Sequence, residues 1–568
     1  MGLLKRRLAS INRTIQLKSN EAAGHEQADA WSNRDLIPLP PARRTWGWFN
    51  YFGYWAISSL NISNWQTPSS FLTMGLSVRQ AMLIIIVGNI IIALFSALIA
   101  WCGLEWHIGF TGGRVVQNRY SWGMRASYFP LLQRILLNFI WNAVQCHQGW
   151  NGGRLIAVCI TCIWPSFARI PNSFGPNMPT TTYEFVGFVI FWFLSTPFLL
   201  LRPEKFKVPF QIVCIWCGIG MLSWMIWGLA TAKGVGPLWS TGQELPEGSK
   251  FSASWLIMAG INQTVGGLAA GITNGSDFSR YARNRRSYAI GTITSCVVTG
   301  TLVCLVGLVT AASCQKIYGD VYWNPPDLLM VMIDSGNGSS KARAGVFFLS
   351  AGFALTAMFE NICGNTIAGG IDLAGLFPRY IDIRRGAIIT FVAAWIVQPW
   401  QLINRATTFI SVLSSFSVFL APIMGIMACD YYLLRKRKVR LSHLYRTDES
   451  IYFFWHGVNW RAIPAWMCGV APTLGGLVVT VSLDPDPPRA LVQLYYMAFL
   501  IGFFISAVVF YAINLAFPPK HAMDQYDEFD IYGTFTAREA RRVGVVPIED
   551  ETDGSNEQII VDADARKG

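Results

Sequence analysis

Glu360 lies in the run AMFENICGN, residues 357–365, inside an otherwise apolar stretch that also carries Asn361 and Asn365. An ionisable group in a lipid-buried segment is costly, and when it faces a cavity or a partner it marks a substrate or proton pathway. At helical spacing Asn361 and Asn365 share a face, and Glu360 points about 100° away on the same turn. A second constellation is FIWNAVQCHQGW, where Trp141 and Gln145 stand one turn apart. An aromatic plate beside a bidentate amide suits a flat, polar heterocycle: the ring stacks and the amide reads its lactam edge. Trp and Gln also pack between helices, and an acid such as Glu360 can simply tie two helices together.

Two further stretches combine polarity with helix-breaking residues. Asn61, Ser63, Asn64, Gln66 and Pro68 interrupt YWAISSLNISNWQTPSSF, and glycines 266, 267, 271 and 275 recur in NQTVGGLAAGITNGSDFSR, which also carries Asp277. Gly267, Gly271 and Gly275 fit the small-xxx-small spacing that lets helices approach closely. The alternative is an unwound helix, which a membrane tolerates only where the backbone is buried or lines a cavity.

The elements that position these residues follow from composition. The 568-residue chain is 52% hydrophobic and 14% charged, whereas soluble proteins carry about 25% charged residues. Apolar segments long enough to cross a hydrocarbon core of about 30 Å recur twelve times, at 50–73, 81–103, 131–157, 183–201, 209–231, 254–274, 289–313, 345–369, 387–404, 408–433, 462–482 and 491–516. The even-numbered loops are basic, with Arg114, Arg119 and Arg125, then Arg202, Lys205 and Lys207, then Arg280, Arg283, Arg285 and Arg286, then Arg379, Arg384 and Arg385, then RKRKVR from Arg435. The positive-inside rule therefore puts those loops and both termini in the cytosol. The N-terminal stretch has no apolar segment or cleavage site of a signal peptide. The Asn337 sequon falls outside.

The net charge of +12 is dispersed over successive loops, which disfavours nucleic acid as a partner and points to anionic lipid headgroups. Cys159/Cys162 and Cys214/Cys217 have C-x-x-C spacing, but each pair lies in or beside an apolar span without further ligands, so buried reduced thiols are expected rather than a metal site. No clustered His/Asp set or nucleophile beside a base points to an enzyme; His147 alone lies well inside a span. The tail from Pro518, acidic at EDETDG, reads as disordered. Interruptions in spans one and six, five apart, are what two inverted five-helix repeats around a midplane site would produce.

Ordered motifs then carry a resemblance over most of the chain. WSNRDLIPLPPARRTWGWFNYFGYWAI, WNAVQ, NGSDFSRYAR, GNTIAGGIDLAGLFPRYIDIRRG, QPWQL, APIMGIMACDYYLLRKRKVRLSHLYR and FFWHGVNW resemble the nucleobase:cation symporter-1 family, in particular its fungal uracil, uridine and allantoin permease branch. The resemblance implies an all-α polytopic protein with a leucine-transporter-type five-plus-five inverted repeat and two further C-terminal helices, working by alternating access. The layout would be a cytosolic tail at 1–49, a transport core at 50–433, a basic cytosolic loop at 434–461, helices eleven and twelve at 462–516 and a cytosolic tail at 517–568.

By the same resemblance Trp141 would stack on the substrate ring, Gln145 and Asn365 would bond its polar edge, and Asn61 would fall near another contact. Leu268 stands where the sodium-coupled hydantoin member has a second aromatic wall, and Phe359 and Glu360 stand where that member has two sodium-coordinating hydroxyl residues. Glu360 is thus expected to replace a sodium site with a protonatable one, with Asp277 or His147 as further candidates. The expected function is proton-driven import of a small nitrogenous heterocycle such as uracil, allantoin or uridine across the plasma membrane, without a cofactor. A vitamin carrier for thiamine or nicotinamide riboside, or a non-transporting nutrient receptor, is the alternative.

Overall fold

The computed structural model describes residues 38–546 apart from 110–115, 145, 176–177, 200–206, 243–250, 378–379, 382, 399, 401–405, 447–448, 483–485 and 522. Among the described residues the chain is helical, with three isolated bridges and no strands. Among the described residues nine helices are long and apolar enough to cross a membrane: Val78–Leu104, Thr182–Leu199, Gln211–Ala232, Ala253–Thr273, Arg285–Tyr318, Ser340–Ala374, Ile410–Leu434, Ala462–Val481 and Ala498–Ala516. Of the other three expected spans, span one is divided into Trp48–Ser59 and Ile62–Thr73, while span three is helical over Tyr128–Val144 and Cys146–Ile163, the described residues on either side of 145, and span nine over Ile383–Val397.

Helix packing follows an inverted repeat. Span two packs on span six and span seven on span one; span three packs on span four and span eight on span nine. Exchanging each span for the one five places away converts one member of each pair into the other. Span three on span eight maps onto itself, and spans eleven and twelve cover span ten from outside the repeat.

Of the two spans expected to be broken, only the first is. Its helix stops at Ser59 and restarts at Ile62, with Asn61 in an extended conformation (φ −136°, ψ 168°) accepting a hydrogen bond from the Asn64 amide at 2.8 Å. The Asn64 side chain donates to the Ser59 carbonyl at 2.9 Å, so one amide caps each side of the gap. Span six runs unbroken from Ala253 through its glycines to Thr273, turning only at Asn274. Its one interior asparagine is committed elsewhere: Asn262 accepts from Phe499 N at 3.0 Å and donates to Tyr495 O at 3.3 Å in span twelve. A Cβ on Gly266 would come within 2.6 Å of the Leu413 carbonyl, so that glycine lets spans six and ten approach instead of unwinding the helix.

Helical irregularity appears where periodicity gave no sign of it. One-turn π-helical segments occur at Ser295–Thr299 in span seven, Asn361–Thr366 in span eight and Cys429–Leu434 in span ten. Such bulges insert an extra residue per turn and shift the register of everything that follows.

The expected loop chemistry also needs correcting. Several basic residues expected beside lipid headgroups are bonded within the protein. Arg435, 1% exposed, pairs with Asp430 and lies over the Tyr120 and Tyr452 rings. Glu105 accepts from Arg437 at 2.7 and 3.0 Å and from the Tyr431 hydroxyl at 2.5 Å, and pairs with Arg285. Burial pushes the Glu105 carboxyl up, but the bonds from Arg437 and Tyr431 and the Arg285 charge outweigh it and hold the group below its ordinary range. The tail expected to be disordered is folded over its described residues, 518–546 apart from 522. Phe535, Ala540 and Val545 bury against Trp106, Tyr120, Tyr431 and Tyr452, and Glu539 pairs with Arg44 at 2.8 Å. A few apolar side chains in a polar stretch suffice once a surface built from distant loops receives them. EDETDG lies outside the described residues.

Candidate functional site

The break in span one faces the π-helical turn of span eight. Asn61, 5% exposed, donates from Nδ2 to Glu360 Oε1 at 2.7 Å. Its own Oδ1 already caps the second half of span one, so this one side chain couples a backbone discontinuity to an intramembrane carboxyl. Asn61 was expected to contact substrate; the structure shows its amide engaged by Glu360 and Asn64.

Glu360 is the last residue of Ser340–Glu360, and the π-helical turn begins at the next residue. Within that turn Thr366 Oγ1 donates to the Asn361 carbonyl five residues back, at 3.0 Å. Asn365, 8% exposed, donates to Asn361 Oδ1 at 3.3 Å. The two asparagines are adjacent as expected, but they touch across a widened turn, not a regular helical one.

Leu268 is half-buried on span six, and three residues on lies Gly271, which faces a residue the sequence did not mark out. A methyl group placed on Gly271 would touch Trp55 at 3.8 Å and Leu268 at 3.9 Å. Trp55 lies four residues before the last helical residue of the first half of span one, and Ser59 Oγ donates back to its carbonyl at 2.8 Å. The signal available in sequence was an aromatic residue one turn ahead of a polar interruption. Asp277 joins a different cluster: its carboxylate lies 3.7 Å from the Arg134 guanidinium. The helix backbone carries Trp141, but its side chain, that of His147, and all of Gln145 lie outside the described residues.

The assembled region therefore holds a carboxyl bonded to a neutral amide, a second amide pair beside it, and Trp55 of span one and Leu268 of span six bordering Gly271. Such a set can hold a small polar ring and exchange a proton.

Comparison with known proteins matches residues 38–502 to the family of permeases for cytosine/purines, uracil, thiamine and allantoin. The chain is 34% identical over 539 residues to the thiamine transporter of Saccharomyces cerevisiae, covering 95% of this chain and 88% of that one. It is 34% identical over 493 residues to the allantoin permease of the same yeast, covering 86% and 76%. Among solved structures, the inward-facing conformation of Mhp1 superposes with a TM-score of 0.67 at 21% identity, over 92% of this chain and all of Mhp1, which supports the fold. The matched family model over most of the chain, the two relatives and the paired packing of the spans lead to one conclusion: this chain is a multi-pass membrane transporter of the nucleobase:cation symporter-1 family.

Proposed function

We propose that the protein is a proton-coupled importer of a small nitrogenous heterocycle in the plasma membrane, working by alternating access with both termini in the cytosol. The observation that carries this reading is the Asn61–Glu360 hydrogen bond. A carboxylate accepting from an amide makes a charge-assisted bond of about 1.5–3 kcal/mol, and protonation reduces it to an ordinary one of about 0.5–1.5 kcal/mol. Proton binding at Glu360 therefore loosens the tie between the span one break and span eight by about 1 kcal/mol, which couples proton occupancy to the position of the broken helix. Trp141, Gln145 and Asn365 read the substrate, and Trp55 offers an aromatic surface on the Leu268 side.

Glu360→Gln keeps the hydrogen bond but cannot titrate. Substrate binding and counterflow exchange should survive, while accumulation driven by an inward proton gradient falls to equilibration. Accumulation that persists in Glu360→Gln at acid external pH, or wild-type uptake that requires sodium, overturns the assignment. Competition of labelled uptake by uracil, allantoin, uridine and thiamine identifies the substrate.

The relative named a thiamine transporter favours a second reading. Thiamine is a cation, and a fixed carboxylate in the site suits one directly. In that case Glu360→Gln loses substrate binding itself, with counterflow abolished together with accumulation.

A further inference from the structure

Span three carries two arginines twenty residues apart, Arg134 and Arg154, about 30 Å along a helix at 1.5 Å per residue. Trp141 and Gln145 lie between them in sequence. The Arg134 and Arg154 side chains are 3% and 16% exposed, and each holds two acids from different elements.

Arg134 is anchored by Asp372 of span eight, whose side chain is wholly buried; its Nε donates to Asp372 Oδ2 at 2.8 Å. The same guanidinium donates to Asn274 and lies 3.7 Å from Asp277, both in the turn that follows span six. Arg154 repeats the arrangement at the opposite end. It is anchored by Glu184 at the start of span four, at 2.7 Å, and reaches Asp327 in the short helix Pro325–Ser335 between spans seven and eight. That short helix is also tied to span one, because the fully buried Gln66 donates to Asn324 at 2.6 Å.

In both clusters one acid comes from a span packed against span three; the other comes from the turn after span six in one, and in the other from the short helix, which packs on spans three and eight and is tied to span one through Gln66. We infer that Arg134 and Arg154 are the two latches of the transport cycle: Arg134 closes the cytosolic side through Asp277, and Arg154 closes the external side through Asp327. A buried guanidinium without an acid is strongly destabilising. Here the anchoring acid stays, so the second contact can break without leaving the cation uncompensated. The releasable acids are the more exposed, 17% for Asp277 and 42% for Asp327 against 0% for Asp372 and 12% for Glu184, and they regain water when they let go. The inference rests on alternating access and adds which ion pair opens at which face.

The test reads sidedness. Leu268→Cys is labelled with a membrane-impermeant thiol reagent from outside in intact cells and from the cytosolic side in inverted vesicles, with labelling of the otherwise wild-type protein subtracted. Asp277→Asn should raise the ratio of cytosolic to external labelling, and Asp327→Asn should lower it, each by roughly three- to tenfold, the scale of one partly buried ion pair. Asp277→Glu and Asp327→Glu, which keep the charge, should restore the ratio and control for folding. Ratios that move the same way in both neutral variants, or do not move, overturn the latches. Wild-type counterflow in the same cells reports on the transport reading separately, so the two can fail independently.

Discussion

Spans one and six occupy equivalent places in the two repeats, yet one is broken and the other is continuous. Span six has the more glycine-rich sequence, but its helix runs unbroken from Ala253 to Thr273. Span one breaks because Asn61 and Asn64 supply partners for the backbone groups that a gap exposes. In a membrane those groups would otherwise cost several kcal/mol each. Glycine lowers the resistance to unwinding, but capping side chains decide whether it happens.

The largest expected effect that tests this comparison is at Gly266. Leucine there would drive its Cβ to 2.6 Å from the Leu413 carbonyl and 2.7 Å from Ser417 Oγ, a clash against backbone that costs more than the roughly 1–3 kcal/mol of ordinary overpacking and forces the two helices apart. Surface protein, measured by quantitative immunoblot or a fluorescent tag, should largely disappear. Normal surface levels with intact uptake would mean that spans six and ten do not approach as described.

Asn61→Ala comes next. It removes a helix cap worth about 1 kcal/mol and leaves Glu360 without the amide's bond, at about 1–3 kcal/mol. The protein should reach the surface while accumulation falls at least tenfold. Wild-type accumulation would separate the break from coupling.

A smaller effect is expected at Leu268, which like Trp55 borders Gly271. Leu268→Trp should narrow the range of ligands that compete for uptake and leave the rate for the best one within a fewfold; an unchanged competition profile would place this residue outside the site. The smallest effect is at Gly267. Its nearest neighbours to a new Cβ are ordinary contacts, 3.8 Å to Leu413, and alanine is favoured over glycine in a helix interior by about 1 kcal/mol. Gly267→Ala should therefore leave the melting temperature in detergent unchanged or raise it by a few degrees. A marked drop would show that flexibility at this glycine is part of the resting structure.

Much of the fold was legible because lipid imposes a simple rule. Runs such as Val78–Leu104 and Ala498–Ala516 can be only membrane spans or buried helices, and loop charge alternates with their order. The adjacency of Asn361 and Asn365 was legible for the same reason, since residues four apart are neighbours in either kind of turn. The π-helical turn was not, because AMFENICGN reads as well in a regular helix. The folding of the tail onto the basic loops was hidden too, since Phe535 and Val545 find their partners hundreds of residues away in Trp106 and Tyr120.

By itself the sequence determined the class of molecule, the order and approximate extent of its spans, and which few polar side chains had to be placed in a membrane at a cost. Those are properties of local composition measured against a fixed slab of hydrocarbon. Only the tertiary structure decided that Asn61 meets Glu360, 299 positions away, that Asp277 meets Arg134, and that span six stays whole while span one breaks. Each of those outcomes depends on which backbone groups and charges find partners after the helices pack, and local pattern carries no record of partners that come from elsewhere in the chain.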